Sequence, residues 1–198
     1  MQILRIDSAT TGDASVSRKL TALIADHFRE KHPDAKWVER DFATDPLPHI
    51  DGARTGAIRR PREAHDADMQ AAFPAERAVL DEFLASDIVI LGVPMYNFSV
   101  PSSIKAWIDR LGVPGVTFSY SEAGPEGLAG GRRVIVASSR GGAYEMGGAA
   151  EHQETYLRDF FAFIGIDNVE FVRAEKTGFG PEAVEQALAT AREQIAGL

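Results

Sequence analysis

The chain contains no cysteine. That single absence removes disulfides, thiolate nucleophiles, zinc fingers and iron–sulfur ligation. No apolar stretch approaches the roughly 18 residues that mark a membrane-spanning helix. Met1 to Ile6 carries Arg5 and is too short for the apolar region of a signal peptide, so the expected compartment is the cytoplasm. Positive charge is in deficit: 21 Lys and Arg stand against 29 Asp and Glu, a net charge of −8. Nonspecific nucleic-acid binding needs a basic face, and this balance argues against it. There is no G-x-G-x-x-G for a dinucleotide, no P-loop and no acidic calcium loop. Of the five histidines, His27 and His32 read as helix residues and His49, His65 and His152 as surface. No pair has metal-ligand spacing, so no metal is expected.

What is present is ordinary globular composition, 44% hydrophobic and 25% charged, over 198 residues. That length suits a single domain, residues 1–198, whose core needs no covalent staple. Charge is unevenly spread: residues 1–65 hold 11 Lys and Arg against 10 Asp and Glu, and residues 66–198 hold 10 against 19. Arg54, Arg59, Arg60 and Arg62 form one basic stretch in an otherwise acidic protein.

Hydrophobic patterning predicts five strands alternating with five helices. The strands fall at Gln2–Asp7, Lys36–Phe42, Ile88–Gly92, Arg132–Ser139 and Val169–Ala174. The helices fall at Ser15–Lys31 with Ser15 as N-cap, near Met69–Ser86, at Ser102–Leu111, over Gln153–Ile164 and over Pro181–Leu198. Residues 44–65 contain Pro46, Pro48 and Pro61 without clear periodicity and read as a long loop. Pro74 should break or kink its helix unless the helix begins there. Val116 to Tyr120 looks extended, flanked by the turns Gly124–Gly127 and Gly130–Gly131. Such alternation calls for a parallel sheet covered on both faces, and five strands favour the flavodoxin-like order 2-1-3-4-5 in an α/β three-layer sandwich.

In that order the loops after strands one, three and four share the carboxyl edge, where ligands bind. The first loop brings Ser8, then Ser15 and Ser17 at a helix start, a phosphate site needing no fixed positive charge. The third brings Pro94-Met95-Tyr96-Asn97-Phe98-Ser99, flat apolar area plus an amide, which suits a planar ring with polar edges. The fourth brings Ser138-Ser139-Arg140-Gly141-Gly142, whose glycines let backbone N–H groups approach a ligand. Together they describe a mononucleotide with a flat ring, and FMN fits best. A phospho-acceptor receiver domain on the same fold is excluded, because Asp7 lacks an acidic neighbour and Pro94-Met95 stands where the acceptor Asp belongs.

These residues carry a resemblance. Pro94-Met-Tyr-Asn-Phe98, Lys105, Gly115-Val-Thr-Phe-Ser-Tyr120, Gly124-Pro-Glu-Gly-Leu128, Ser139-Arg-Gly-Gly142 and Phe163-Ile-Gly-Ile166 resemble, in order along the chain, the FMN-dependent NADH azoreductase and quinone reductase family. The resemblance implies a flavodoxin-like homodimer with one FMN per subunit, reduced by NADH and reoxidised by quinones or aromatic azo compounds. It implies FMN contacts at Ser8, at Ser15, Val16 and Ser17, at Met95, Tyr96, Asn97 and Phe98, and at Ser139, Arg140, Gly141 and Gly142. Tyr120 and Phe163 match positions that wall the pocket, and Phe98 would stack on flat acceptors. The basic stretch is either a solvated face or, through Arg59 and Arg60, a contact for the phosphates of NADH, and no residue is assigned as catalytic acid or base. The first loop, Asp7-Ser8-Ala9-Thr10, departs from the Ser-Pro-Arg of many members. The alternative on the same fold is a non-catalytic electron carrier.

Overall fold

The computed structural model describes residues 1–198. The strands are β1 (Gln2–Asp7), β2 (Lys36–Asp41), β3 (Ile88–Pro94), β4 (Phe118–Ser121), β5 (Gly124–Gly127), β6 (Arg133–Ser139) and β7 (Val169–Ala174). The helices are α1 (Val16–Lys31), α2 (Gly52–Arg59), α3 (Ala67–Leu84), α4 (Ser102–Leu111), α5 (Glu154–Phe163) and α6 (Pro181–Ala196). No helix is long and apolar enough to cross a membrane.

Five strands form one parallel sheet in the order β2-β1-β3-β6-β7, which is the predicted order once the β4–β5 hairpin is set aside. Side chains alternate across it with the period of two that a strand imposes. Ile3, Ile88, Ile90 and Ile135 pack with Leu20, Ile24 and Phe28 of α1 and with Ala191 and Ile195 of α6. Leu4, Ile6, Val89, Leu91 and Val136 point the other way, into the larger cluster with α3, α4 and α5. Trp107 of α4 wedges there edge-on to Phe83 of α3, with centroids 5.7 Å apart. Every residue of β3 is buried, as its unbroken apolar run requires in a central parallel strand.

Three expectations are corrected. Residues 44–65 are not a structureless loop. Asp51 accepts a hydrogen bond from the Arg54 N–H at 2.8 Å and starts α2. That helix packs Gly56 against Met69 and buries Ala57, small residues that leave almost no hydrophobic periodicity to read. Pro74 neither ends nor begins α3. It sits exposed inside the helix, so the Gln70 carbonyl that it leaves unpaired faces water rather than the core. His65 is buried rather than on the surface: its Nε2 lies 3.1 Å from the Arg60 carbonyl.

The extended piece after α4 is one arm of a β4–β5 hairpin. Gly127 lies against the turn after α5 so closely that a Cβ on it would stand 2.1 Å from the Gly165 nitrogen. The hairpin is therefore anchored to the end of α5, and Phe118 and Tyr120 go with it.

Candidate functional site

The tips of β1, β3 and β6 lie side by side, with Asp7 paired to Gly92 and Pro94 to Ser139. Ser8 joins the first two: its hydroxyl donates to the Gly92 carbonyl at 2.6 Å. Ser15 caps α1 as expected, its Oγ accepting from the Arg18 N–H at 3.2 Å and lying 3.1 Å from the Ser17 hydroxyl. The N–H groups of Val16 and Ser17 have no acceptor within the helix. The start of α1 thus offers hydroxyls and free amides to an anion, with the positive end of the helix dipole behind them.

The tip of β3 carries a feature that the residue types do not announce. Tyr96 and Ser99 exchange backbone hydrogen bonds at 3.0 and 3.1 Å. Between them Asn97 (φ 48°) and Phe98 (φ 71°) both lie in the left-handed region. This is the arrangement of a two-residue hairpin turn, normally filled by Asn-Gly. Asn tolerates it, whereas Phe pays about 1–2 kcal/mol. The turn leaves the Phe98 ring 51% exposed. Four contacts hold the loop. Met95 N–H donates to Ser139 O at 2.8 Å, His152 N–H donates to Phe98 O at 3.0 Å, Tyr96 reaches Thr10, and the Phe98 ring meets Tyr144 edge-on at 6.3 Å.

At the tip of β6 the carbonyls are turned away. Those of Arg140, Gly141 and Gly142 accept from the N–H groups of Thr177, Gly178 and Lys176 at 3.0, 3.0 and 2.9 Å. The two segments run close: a Cβ on Gly178 would sit 3.1 Å from the Gly141 oxygen, a tight contact. The N–H groups of Gly141 and Gly142 have no partner in the protein. A ring edge rich in acceptors fits these donors, so the three tips together suit a flavin mononucleotide.

Arg140 is placed differently from the rest of its loop. Its guanidinium is buried behind the site, bonded to Ser138 and Gln153 and paired with Glu151 at 3.1 Å and Glu154 at 3.4 Å. Gln153 extends this network to β3 by donating to the Val93 carbonyl at 3.0 Å. Burial pushes the Glu151 carboxyl up, but the N–H groups of Glu154, Thr155 and Gln153 outweigh it and hold the group below its usual range. Glu154 is likewise pushed up by burial and pulled lower overall by Arg173 and Arg158. Any contact of Arg140 with a bound ring is therefore not made by its charge.

The proposed pocket residues divide into two places. Tyr120, Phe163 and Arg59 line one cavity of about 210 Å³, beside the end of α4. Phe118 joins them, its ring 4.6 Å from that of Phe163. Tyr156 also lines this cavity, and burial together with Asp109 pushes its hydroxyl up to about 12, so it stays protonated. Phe98 is not in this group and packs with Tyr144 instead. The sequence reading missed Thr10, Tyr144, Glu151, Gln153 and Glu154. Residues 143–152 have no periodicity, so no local signal could have singled out Tyr144 or Glu151. No group of three or more His, Asp or Glu side chains is placed to hold a metal ion.

Comparison with known proteins agrees with this geometry. The family model for the flavodoxin-like fold matches residues 1–198. An FMN-dependent NADH:quinone oxidoreductase of Rhizobium meliloti is 50% identical, covering 99% of this chain and 96% of its own. One of Ralstonia nicotianae is 50% identical over 96% and 93%. Among solved structures, the azoreductase AzrA superposes with a TM-score of 0.90 at 27% identity, covering 100% of this chain and 98% of that one. An FMN-dependent NADH-azoreductase of Bacillus anthracis, solved in complex with FMN, gives 0.84 at 25%, covering 99% and 98%. With the sheet order, the three tips and these relatives in agreement, the chain belongs to the flavodoxin-like family, among the FMN-dependent NADH:quinone oxidoreductases and azoreductases.

Proposed function

We propose that the chain is an FMN-dependent NADH:quinone oxidoreductase that also reduces aromatic azo compounds, working as a homodimer with one FMN per subunit. One observation carries the site assignment: at the tip of β6 every carbonyl from Arg140 to Gly142 is tied back, leaving the Gly141 and Gly142 N–H groups free beside the Met95–Phe98 turn. Ser15, Val16 and Ser17 hold the phosphate, and Ser8 fixes the tip that carries them. Met95, Tyr96, Asn97 and Phe98 grip the ring, with Asn97 at its N5/O4 edge. Ser139, Gly141 and Gly142 serve its N1/O2 end, where donors favour the negative charge of the reduced state. Arg140 works from behind, holding Ser138 and the start of α5 in place.

The chemistry FMN supplies when bound is two-electron transfer from NADH to a quinone or an N=N bond. The protein binds and orients the ring and the acceptor, and solvent protonates the product. Phe98 stacks on flat acceptors. Tyr120, 73% exposed, lies with Phe163 and Arg59 in a different cavity from Phe98. A second copy of the chain supplies them to complete the pocket, which is the reason the active form is a dimer. Residues 1–198 act as one domain, and the cytoplasm, where NADH is regenerated, is the compartment this function calls for.

The test is an anaerobic absorbance spectrum of the purified protein. A yellow protein bleached by NADH and recoloured by a quinone is expected, with a sedimentation mass twice that of the chain. A folded protein that stays colourless when offered FMN would overturn the cofactor assignment, and a monomer with full activity would overturn the shared pocket.

A further inference from the structure

We propose a second ligand site, apart from the sheet tips, that takes a flat aromatic molecule bearing one or two anionic groups. A cavity of about 400 Å³ opens between α2, the turn that follows it, α3 and residues 113–116. Its size is that of ordinary small-molecule sites. Leu80, Val113 and Val116 give it an apolar floor and Phe73 an aromatic wall. No residue of the three tip loops lines it.

Its rim is basic in an acidic protein. Arg59, Arg60 and Arg62 line it without an ion pair, whereas Arg54, Arg77 and Arg110 nearby are each paired with a carboxylate. The one carboxylate in the lining is Glu76, buried and already met by Arg110 at 2.6 Å and Arg54 at 3.2 Å. It has no charge to spare for the rim. Arg62 lies over the Phe73 ring at 4.5 Å. The rim is also fixed in place. His65 Nε2 meets the Arg60 carbonyl, Gln70 donates to the His65 carbonyl at 3.0 Å, and Gly56 abuts Met69.

Unpaired guanidiniums around one cavity repel one another, and an anion relieves that repulsion. Arg suits the planar, two-point recognition of carboxylate or sulfonate. The apolar floor and the Phe73 wall ask for a ring beneath that group. Inorganic phosphate would satisfy the rim and leave the floor unmatched. Arg59 also borders the Tyr120 cavity and Arg60 is expected beside it at the phosphates of NADH, so the test rests on Arg62, which has neither place.

The experiment is calorimetric titration of the holoprotein with naphthalene-2-sulfonate, repeated on the Arg62→Gln variant. That side chain is exposed, so the variant should fold. Expected are one saturable site per chain, affinity at least about tenfold weaker in the variant, and unchanged KM values for NADH and quinone. Neutral 2-naphthalenemethanol and inorganic phosphate should each bind at least about tenfold more weakly than the sulfonate. Equal affinity in the variant, phosphate binding as tightly as the sulfonate, or competition of the sulfonate with NADH or quinone would overturn the proposal. So would a variant that loses its dimer, since that would make the rim a subunit contact. The titration needs no flavin chemistry, so its failure is distinguishable from failure of the FMN assignment.

Discussion

The Tyr96 hydroxyl lies 3.0 Å from the Thr10 hydroxyl and accepts from the Thr10 N–H at 3.1 Å, tying the first tip loop to the third across 86 residues of sequence. The Tyr96→Phe variant keeps the ring and loses the tie. A net hydrogen bond is worth about 0.5–1.5 kcal/mol. The FMN dissociation constant should therefore rise about two- to tenfold, while the melting temperature moves by only a few degrees. Fluorescence titration of apoprotein with FMN measures the first and calorimetry the second.

Phe98 is held at φ 71°. Glycine adopts that conformation freely and alanine does not. Phe98→Gly should be more stable than Phe98→Ala by about 1 kcal/mol, measured by urea unfolding. Both should lose quinone kcat/KM by about tenfold or more, because both lack the stacking ring. If the two variants were equally stable, the turn would not be strained.

Glu151 and Glu154 have carboxyls held below their usual range in the folded protein. The folded state then binds fewer protons than the unfolded one, so their stabilisation is complete above the unfolded value near pH 4.3–4.5 and is lost as pH falls through the folded value. The contribution of these two carboxylates should be flat toward neutrality and fall on acidification below about pH 4.5. Glu154→Gln removes a buried partner of Arg140, Arg158 and Arg173 and should cost about 3–5 kcal/mol at pH 7. In that variant the acid-side loss should be shallower. Urea denaturation across pH 3–8 tests both.

Gly127 touches the turn at Gly165. In Gly127→Ala the new methyl must push the β4–β5 hairpin away, at about 1–3 kcal/mol. Because the hairpin carries Phe118 and Tyr120 but no tip residue, acceptor KM should change while FMN affinity does not. Steady-state kinetics with several quinones, beside an FMN titration, separates the two.

In the proposed site one crevice at the sheet tips takes the ring, so NADH and acceptor should occupy it in turn. Double-reciprocal plots at varied quinone should be parallel, and intersecting lines would require two substrates bound together.

The architecture was legible because its causes are local. Unbroken apolar runs at Ile88–Gly92 and Val134–Ala137, separated by helical stripes, admit little besides a doubly covered parallel sheet. Ser15 capped the helix it was read to cap, since a cap depends on three residues and nothing distant. Helix α2 was hidden because Gly56 and Ala57 bury backbone rather than apolar side chains. Pro74 misled because its cost depends on whether the carbonyl it orphans meets water, which only the exposure of that helix face answers.

Taken alone, the order of residues determined the sheet, its strand order and the three loops that gather at its edge, because hydrophobic period and chain connectivity leave few alternatives. The folded chain decided which atoms of those loops are free. It turned the Arg140 charge inward and Phe98 outward, left the Gly141 and Gly142 amides unpaired, and set Tyr120 and Phe163 apart from Phe98. Those outcomes depend on contacts between residues far apart in sequence, such as Arg173 with Glu154 or Thr177 with Arg140. No window of neighbouring residues contains them.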